Sequence, residues 1–216
     1  MSPTDSEVDG AMARPKTPNP REAALTAVMT AAVAAVTMVI SVPFPLTRGY
    51  FNFGDAIVML SGLLFGARLG GFAGGIGSAL ADVLSGYPYY APLTLLIKGT
   101  EGFLTGLLGN NRRFPFKLAG VTVGAVAMLV GYFAVETPLY GMAAALAELA
   151  AINSIQVSSG ATISLVMAQL ILKAYPAIKF FGPQPAETKG GIVAVVIAAV
   201  VLAAIVGIYV IVGISP

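Results

Sequence analysis

The chain has 216 residues, of which 57% are apolar and only 10% charged, with a net charge of +2 and neither cysteine nor histidine. So apolar a composition lies outside the range of soluble domains and inside that of polytopic membrane proteins. The missing cysteines exclude disulfides and thiolate chemistry, the missing histidines remove the usual base near neutral pH and the commonest metal ligand, and the small net charge gives no reason to expect nucleic acid.

In lipid each spanning segment must satisfy its own backbone, so long apolar runs without alternating polarity predict helices rather than barrel strands. Residues 1–20 are polar, contain Pro3, Pro15, Pro18 and Pro20, and read as a disordered tail. The run 23–42 is about 20 residues, long enough to span and longer than a signal-peptide core. It carries Ala23, Ala27, Ala31 and Ala35 in register, a stripe along which another helix can approach closely in lipid, although alanine is abundant throughout this segment.

Segment 42–55, VPFPLTRGYFNFGD, combines prolines, glycines and aromatics and predicts a structured loop. A second span over 52–66 is short, roughly 15 residues, so it starts inside the protein or meets a thin edge of the bilayer. The third, 69–86, holds Gly70, Gly71, Gly74, Gly75 and Gly77, which permit close packing. No GxxxxGK[ST] occurs and no GxGxxG follows a strand, so these glycines form no nucleotide loop. The fourth helix spans 89–109, a basic loop follows over 110–117, and the fifth spans 117–135. Residues 136–153 read as a short outer helix or loop, and the sixth helix spans 151–174. A basic linker over 179–190 leads to a uniformly apolar segment, 191–214, read as an added anchor. The expected architecture is all-α: a six-helix membrane core over 21–178 plus one further C-terminal transmembrane helix.

Lysine and arginine placement sets the expected orientation. With the N-terminus cytoplasmic, Arg14, Lys16, Arg21, Arg68, Arg112, Arg113, Lys117, Lys173, Lys179 and Lys189 all face inward, only Arg48 faces outward, and Lys98 lies within a helix. The loops 43–54, 86–90 and 136–152 and the C-terminus are then external.

Ionisable groups at membrane depth are costly and mark function. Asn52, Asp55, Asp82, Tyr87, Tyr89, Tyr90, Tyr132, Glu136, Asn153 and Gln156 gather on the external side. At the rise of an α-helix, Asp82 lies roughly 6 Å and Lys98 roughly 14 Å below the outer helix ends, and a snorkelling lysine brings the two into one pocket. Lys98 and Glu101, three apart, share a helix face. They equally fit an internal pair that merely holds two helices together. Tyrosines also collect at membrane interfaces whatever the function, Asp55 after Gly54 also fits a helix cap, and Asn153 and Gln156 also fit caps. As a site, the set suits a small, partly aromatic, hydrogen-bonding solute. Scattered carboxylates without histidine or cysteine are a poor metal site, and nothing calls for a cofactor.

The order FNFGDAIVMLSGLLFGARLGGFAGGIGSALADVLSGYPYYAPLTLLIKGTEG, with Asn153 and Gln156 opening the sixth helix, resembles the S components of energy-coupling factor (ECF) vitamin transporters. It is most similar to the group handling riboflavin, hydroxymethylpyrimidine and pyridoxine. The resemblance spans about residues 23–178. It implies an external ligand pocket capped by the first outer loop, with Asn52, Asp55, Asp82, Tyr87, Tyr90, Lys98, Glu101, Tyr132, Asn153 and Gln156 as its candidate lining. It also implies no ATP hydrolysis in this chain, and docking of Ala23, Ala27, Ala31 and Ala35 on a transmembrane T component that binds two ATPase subunits. The seventh helix departs from that pattern. Two other classes compete: a self-sufficient secondary carrier or channel using Asp82, Lys98 and Glu101 as a proton relay, and an intramembrane enzyme, for which no nucleophile has a suitable base.

Overall fold

The computed structural model describes residues 20–47, 49–110, 113–176 and 178. The tail, the linker over 179–190 and the apolar segment 191–214 lie outside the described residues. Helix α1 (Pro20–Val39) opens on a proline, whose missing N–H costs nothing at a helix start, with Glu22 in the first turn. A short antiparallel hairpin follows, β1 (Val42–Phe44) and β2 (Gly49–Phe51), with Val42 opposite Phe51 and Phe44 opposite Gly49. Then come α2 (Gly54–Phe65), α3 (Ala67–Leu84), α4 (Ala91–Gly109) and α5 (Phe114–Tyr140). The last rod is composite: α6 (Met142–Glu148), a π-helical turn at Leu149–Asn153, and α7 (Ser154–Ala174).

By length and composition three rods among the described residues are able to cross a membrane: Pro20–Val39, Phe114–Tyr140 and Met142–Ala174. The protein is thus an all-α multi-pass membrane protein. Helices α3 and α4 are long enough, but their glycines and their Asp82, Lys98 and Glu101 lower the apolar content. Helix α2 is apolar but too short to cross a membrane by itself, and every residue of it except Ile57 is buried. It starts inside the protein, beneath the hairpin, with α1, α3, α4 and α7 packed around it.

Glycine sets the spacing of the central helices. A Cβ on Gly62 of α2 would lie 2.7 Å from the Gly102 carbonyl oxygen of α4, and one on Gly70 of α3 would lie 2.6 Å from the same atom. Three backbones therefore meet with no side chain between them, the close approach that small residues permit where no hydrophobic force drives helices together. Met59, Leu63, Leu69, Ala73 and Met128 belong to the buried apolar core that packs these helices.

Two segments differ from the sequence expectation. The loop over 42–55 contains the hairpin, because Pro43 occupies an edge position where it removes no needed donor. The segment 136–152 is helical throughout its length apart from Gly141. Helix α5 runs on through Pro138 to Tyr140, and Gly141, at φ 87°, turns the chain directly into α6. That conformation favours glycine.

Candidate functional site

Beneath the hairpin, the hairpin-side ends of α1, α3, α4, α5 and the composite rod enclose a hollow lined by Tyr50, Asn52, Asp82, Tyr90, Lys98, Tyr132, Glu136, Glu148, Asn153 and Gln156, with Thr37, Gly49, Ser78 and Thr94. Its cavity volume is about 40 Å³, space for about three waters.

The hairpin is tied down by polar contacts at several points. The Asn52 backbone N–H and side-chain Nδ2 both donate to Gln156 Oε1, at 2.9 and 3.2 Å. Tyr90 donates its hydroxyl to the Thr47 carbonyl at 2.9 Å, and Tyr50 donates to Asp82 Oδ1 at 2.7 Å. The Tyr50 ring lies 4.9 Å from that of Tyr87. Burial, and then the Asp82 carboxylate, hold the Tyr50 hydroxyl well above the usual tyrosine range, so at neutral pH it is a donor.

Below the hollow lies a buried charge cluster. Lys98 Nζ pairs with Asp55 Oδ1 and donates to Glu101 Oε2 at 3.0 Å, with Asp55 and Glu101 fully buried. Gln156 Nε2 donates to the second Asp55 oxygen at 3.1 Å. Gln156 therefore joins hairpin and cluster in one relay, its carbonyl engaged above and its amide below. The Lys98 ammonium also sits 5.6 Å from the centre of the Tyr132 ring, within cation–π range, and the Tyr132 hydroxyl donates to Thr94 Oγ1 at 3.3 Å.

The candidate residues thus fall into three groups. Asn52, Asp82, Tyr90, Lys98, Tyr132, Asn153 and Gln156 line the hollow. Asp55 and Glu101 stand one layer behind it, against Lys98, while Tyr87 packs on Tyr50 at the rim. The internal pair and the pocket lysine are therefore the same side chain. Asp55 makes no cap; Asn52 Oδ1 instead accepts the Gly54 N–H at 2.8 Å. Neither Asn153 nor any other side chain caps α7.

Glu148 was not marked by its sequence setting, a weakly apolar stretch, and Glu136 stood only among the external polar groups. The structure joins them. Gly49 of the hairpin rests so close to Glu148 that a Cβ there would collide with its carboxylate, 3.2 Å from Cδ. On α1 the buried face is Thr30, Val33 and Thr37, whereas Ala23, Ala27, Ala31 and Ala35 are all exposed.

An all-α membrane bundle with an enclosed polar hollow and a hairpin roof has the plan of a solute-binding membrane subunit. Residues 18–177 match the family model of the ECF-type riboflavin transporter S component, and the chain belongs to that family. It is 48% identical over 118 residues to an uncharacterized protein of Pyrococcus woesei, covering 54% of this chain and 79% of that relative. It is also 29% identical over 154 residues to the thiamine precursor transporter HmpT of Lactococcus lactis, covering 71% and 89%.

Proposed function

We propose that this chain is the substrate-binding subunit of an ATP-driven importer for a small vitamin or vitamin precursor. The observation that carries the reading is the roofed hollow itself. Amides, hydroxyls, carboxylates and ring faces converge there in a bundle otherwise packed with apolar residues, and buried polar groups of this kind are too costly to keep without use. The name of the Lactococcus lactis relative agrees with a vitamin precursor as cargo.

The N-terminus is cytoplasmic and the hairpin external, so the cargo enters from outside and leaves only when the hairpin is released. Energy comes from a separate T component and two ATPase subunits, which dock on the exposed alanine stripe of α1. The chain itself carries out no catalysis.

The purified full chain retains a small heterocycle detectable by mass spectrometry, or binds one from a vitamin panel with quenching of tyrosine fluorescence. Vesicles containing this chain alone take up nothing, and adding the T component and ATPases restores ATP-dependent uptake. Absence of binding across the panel, or proton-driven uptake by the chain alone, overturns the proposal; the latter would establish the carrier reading.

A further inference from the structure

The exposed side of α3 and α4 carries an open groove of about 500 Å³ that shares no lining residue with the hollow. Its floor is the bare backbone of Gly71 and Gly75 on α3 and Gly99 on α4. Phe72 and Leu96 wall it, 55% and 45% exposed. Leu96 is about 200° around α4 from both Thr94 and Lys98, which face the hollow. The packing of α3 on α4 accounts for two of the glycines: a Cβ on Gly75 would lie 2.7 Å from the Leu95 carbonyl oxygen, and one on Gly71 3.1 Å from Phe103 Cβ. It does not account for Gly99, where a Cβ would meet nothing nearer than 3.4 Å. Alanine would fit there and stabilise the helix, so the missing side chain serves a neighbour outside the pair.

The chain itself holds a segment of matching shape. Residues 191–214 are long enough to cross a bilayer as a helix, and from Ile192 to Ile208 they include no polar side chain. Ala199, Ala203 and Gly207 recur at every fourth position, which gives that helix a small face able to approach a glycine floor closely. The linker over 179–190 also starts at the correct end of the bundle. Arg68, at the mouth of the groove, lies roughly 21 Å along α3 from Asp82, and Ala174, where α7 ends, lies roughly 27 Å along α7 from Gln156. Both are therefore on the side away from the hollow. Fully extended, the linker reaches about 40 Å, several interhelical spacings. Charge agrees: Arg68 is exposed and makes no ion pair among the described residues, and Glu187 stands four residues before Gly191. The shallow groove beside Ser154, Ser158 and Thr162 of α7 is walled by hydroxyls, to which an all-apolar segment returns no hydrogen bond.

From these observations we infer that residues 191–214 cross the bilayer beside the core and seat the face of Ala199, Ala203 and Gly207 in the groove between α3 and α4, with Glu187 meeting Arg68 at its mouth. Helix α1 packs on a different side of α3. Gly77, whose Cβ would lie 2.7 Å from the Thr30 carbonyl oxygen, is about 200° around from Gly75. The seated segment thus clasps α3 and α4 from outside and leaves the alanine stripe of α1 uncovered.

The chain has no cysteine, so introduced pairs report proximity without background. In membranes holding the full chain, Leu96→Cys is combined in turn with Ala199→Cys, Ala203→Cys and Val201→Cys, oxidised, and the linked peptides are identified by mass spectrometry. Ala199→Cys or Ala203→Cys gives at least about fivefold more bond within one chain than Val201→Cys, which is about 200° around from both. Val28→Cys, on the exposed surface of α1, gives no such bond when it replaces Leu96→Cys. The unaltered chain supplies a second reading that no folding defect can disturb. A carbene probe dissolved in nanodisc lipid labels Val166 and Leu170 of α7, 53% and 62% exposed, at least about fivefold more than Phe72 and Leu96, because the segment covers the latter pair. Equal labelling of the two pairs shows lipid in the groove and overturns the inference. Bonds formed only between two chains overturn it by giving the groove to a second copy, and so does the absence of any bond from Leu96→Cys in variants that unfold at the native temperature. Each of these results leaves the reading of the hollow untouched.

Discussion

Two buried carboxylates depend on Lys98 for neutralisation, which makes it the most consequential single side chain in the site. Lys98→Met leaves Asp55 and Glu101 facing each other without a cation, and breaking a buried ion pair from one side costs about 3–5 kcal/mol. The variant should unfold at markedly lower temperature in detergent. Replacing all three groups with apolar residues should restore most of the loss, because the cost lies in the uncompensated charge. Gln156→Ala separates hairpin from cluster by removing the acceptor of both Asn52 donors. At about 1–3 kcal/mol for the donors left unsatisfied, ligand release should accelerate roughly tenfold or more, read by stopped-flow tyrosine fluorescence. Tyr50 sets an alkaline limit. Its hydroxyl titrates higher in the folded protein than when exposed, so its contribution is complete below about pH 10, where an unfolded tyrosine ionises, and declines above it.

At the scale of elements, the helices were legible because lipid demands unbroken apolar runs, and the charge cluster because ionisable residues stand out in such runs. Lys98 and Glu101 were paired by their spacing alone. Asp55 joins them only through the way α2 starts beneath the hairpin, a tertiary fact that leaves the same local residues compatible with a cap. The hairpin was hidden by Pro43 and Pro45, which read as loop signals, and the meeting of Glu136 with Glu148 by Gly141, which turns two helices back on each other where sequence indicates a polar break. Helix α1 shows most plainly how a face is used: its threonines and Val33 are turned inward and its alanine stripe outward. Ala27→Trp or Ala31→Trp should therefore leave ligand affinity unchanged and abolish uptake in the reconstituted transporter; simultaneous loss of binding would show that the stripe serves internal packing. Gly62→Val, in contrast, drives a side chain into the α4 backbone. Overpacking of this kind costs about 1–3 kcal/mol or more and should lower thermal stability whether or not ligand is present.

For the molecule as a whole, every described group of the hollow lies between Thr37 and Gln156, and the family match ends at residue 177. A chain truncated after residue 178 should bind its ligand within about twofold of the full chain, as isothermal titration would show; a larger loss would make the apolar C-terminal segment part of the binding unit. The π-helical turn at Leu149–Asn153 has a wider consequence. Its wide ring, supported by the Ser154 hydroxyl donating to the Leu149 carbonyl at 2.6 Å, accommodates one residue more than a regular helix of the same rise, and such insertions recur at functional sites. Excising Ala150 or Ala151 would return the rod to ordinary winding while leaving Glu148 and Gln156 on the same side of it, because the wide ring already absorbs the extra residue. The same deletion made in the regular winding of Ser154–Ala174 would instead turn everything beyond it by about 100°, so the π-helical turn is where this rod can gain or lose a residue with its wall of the hollow intact.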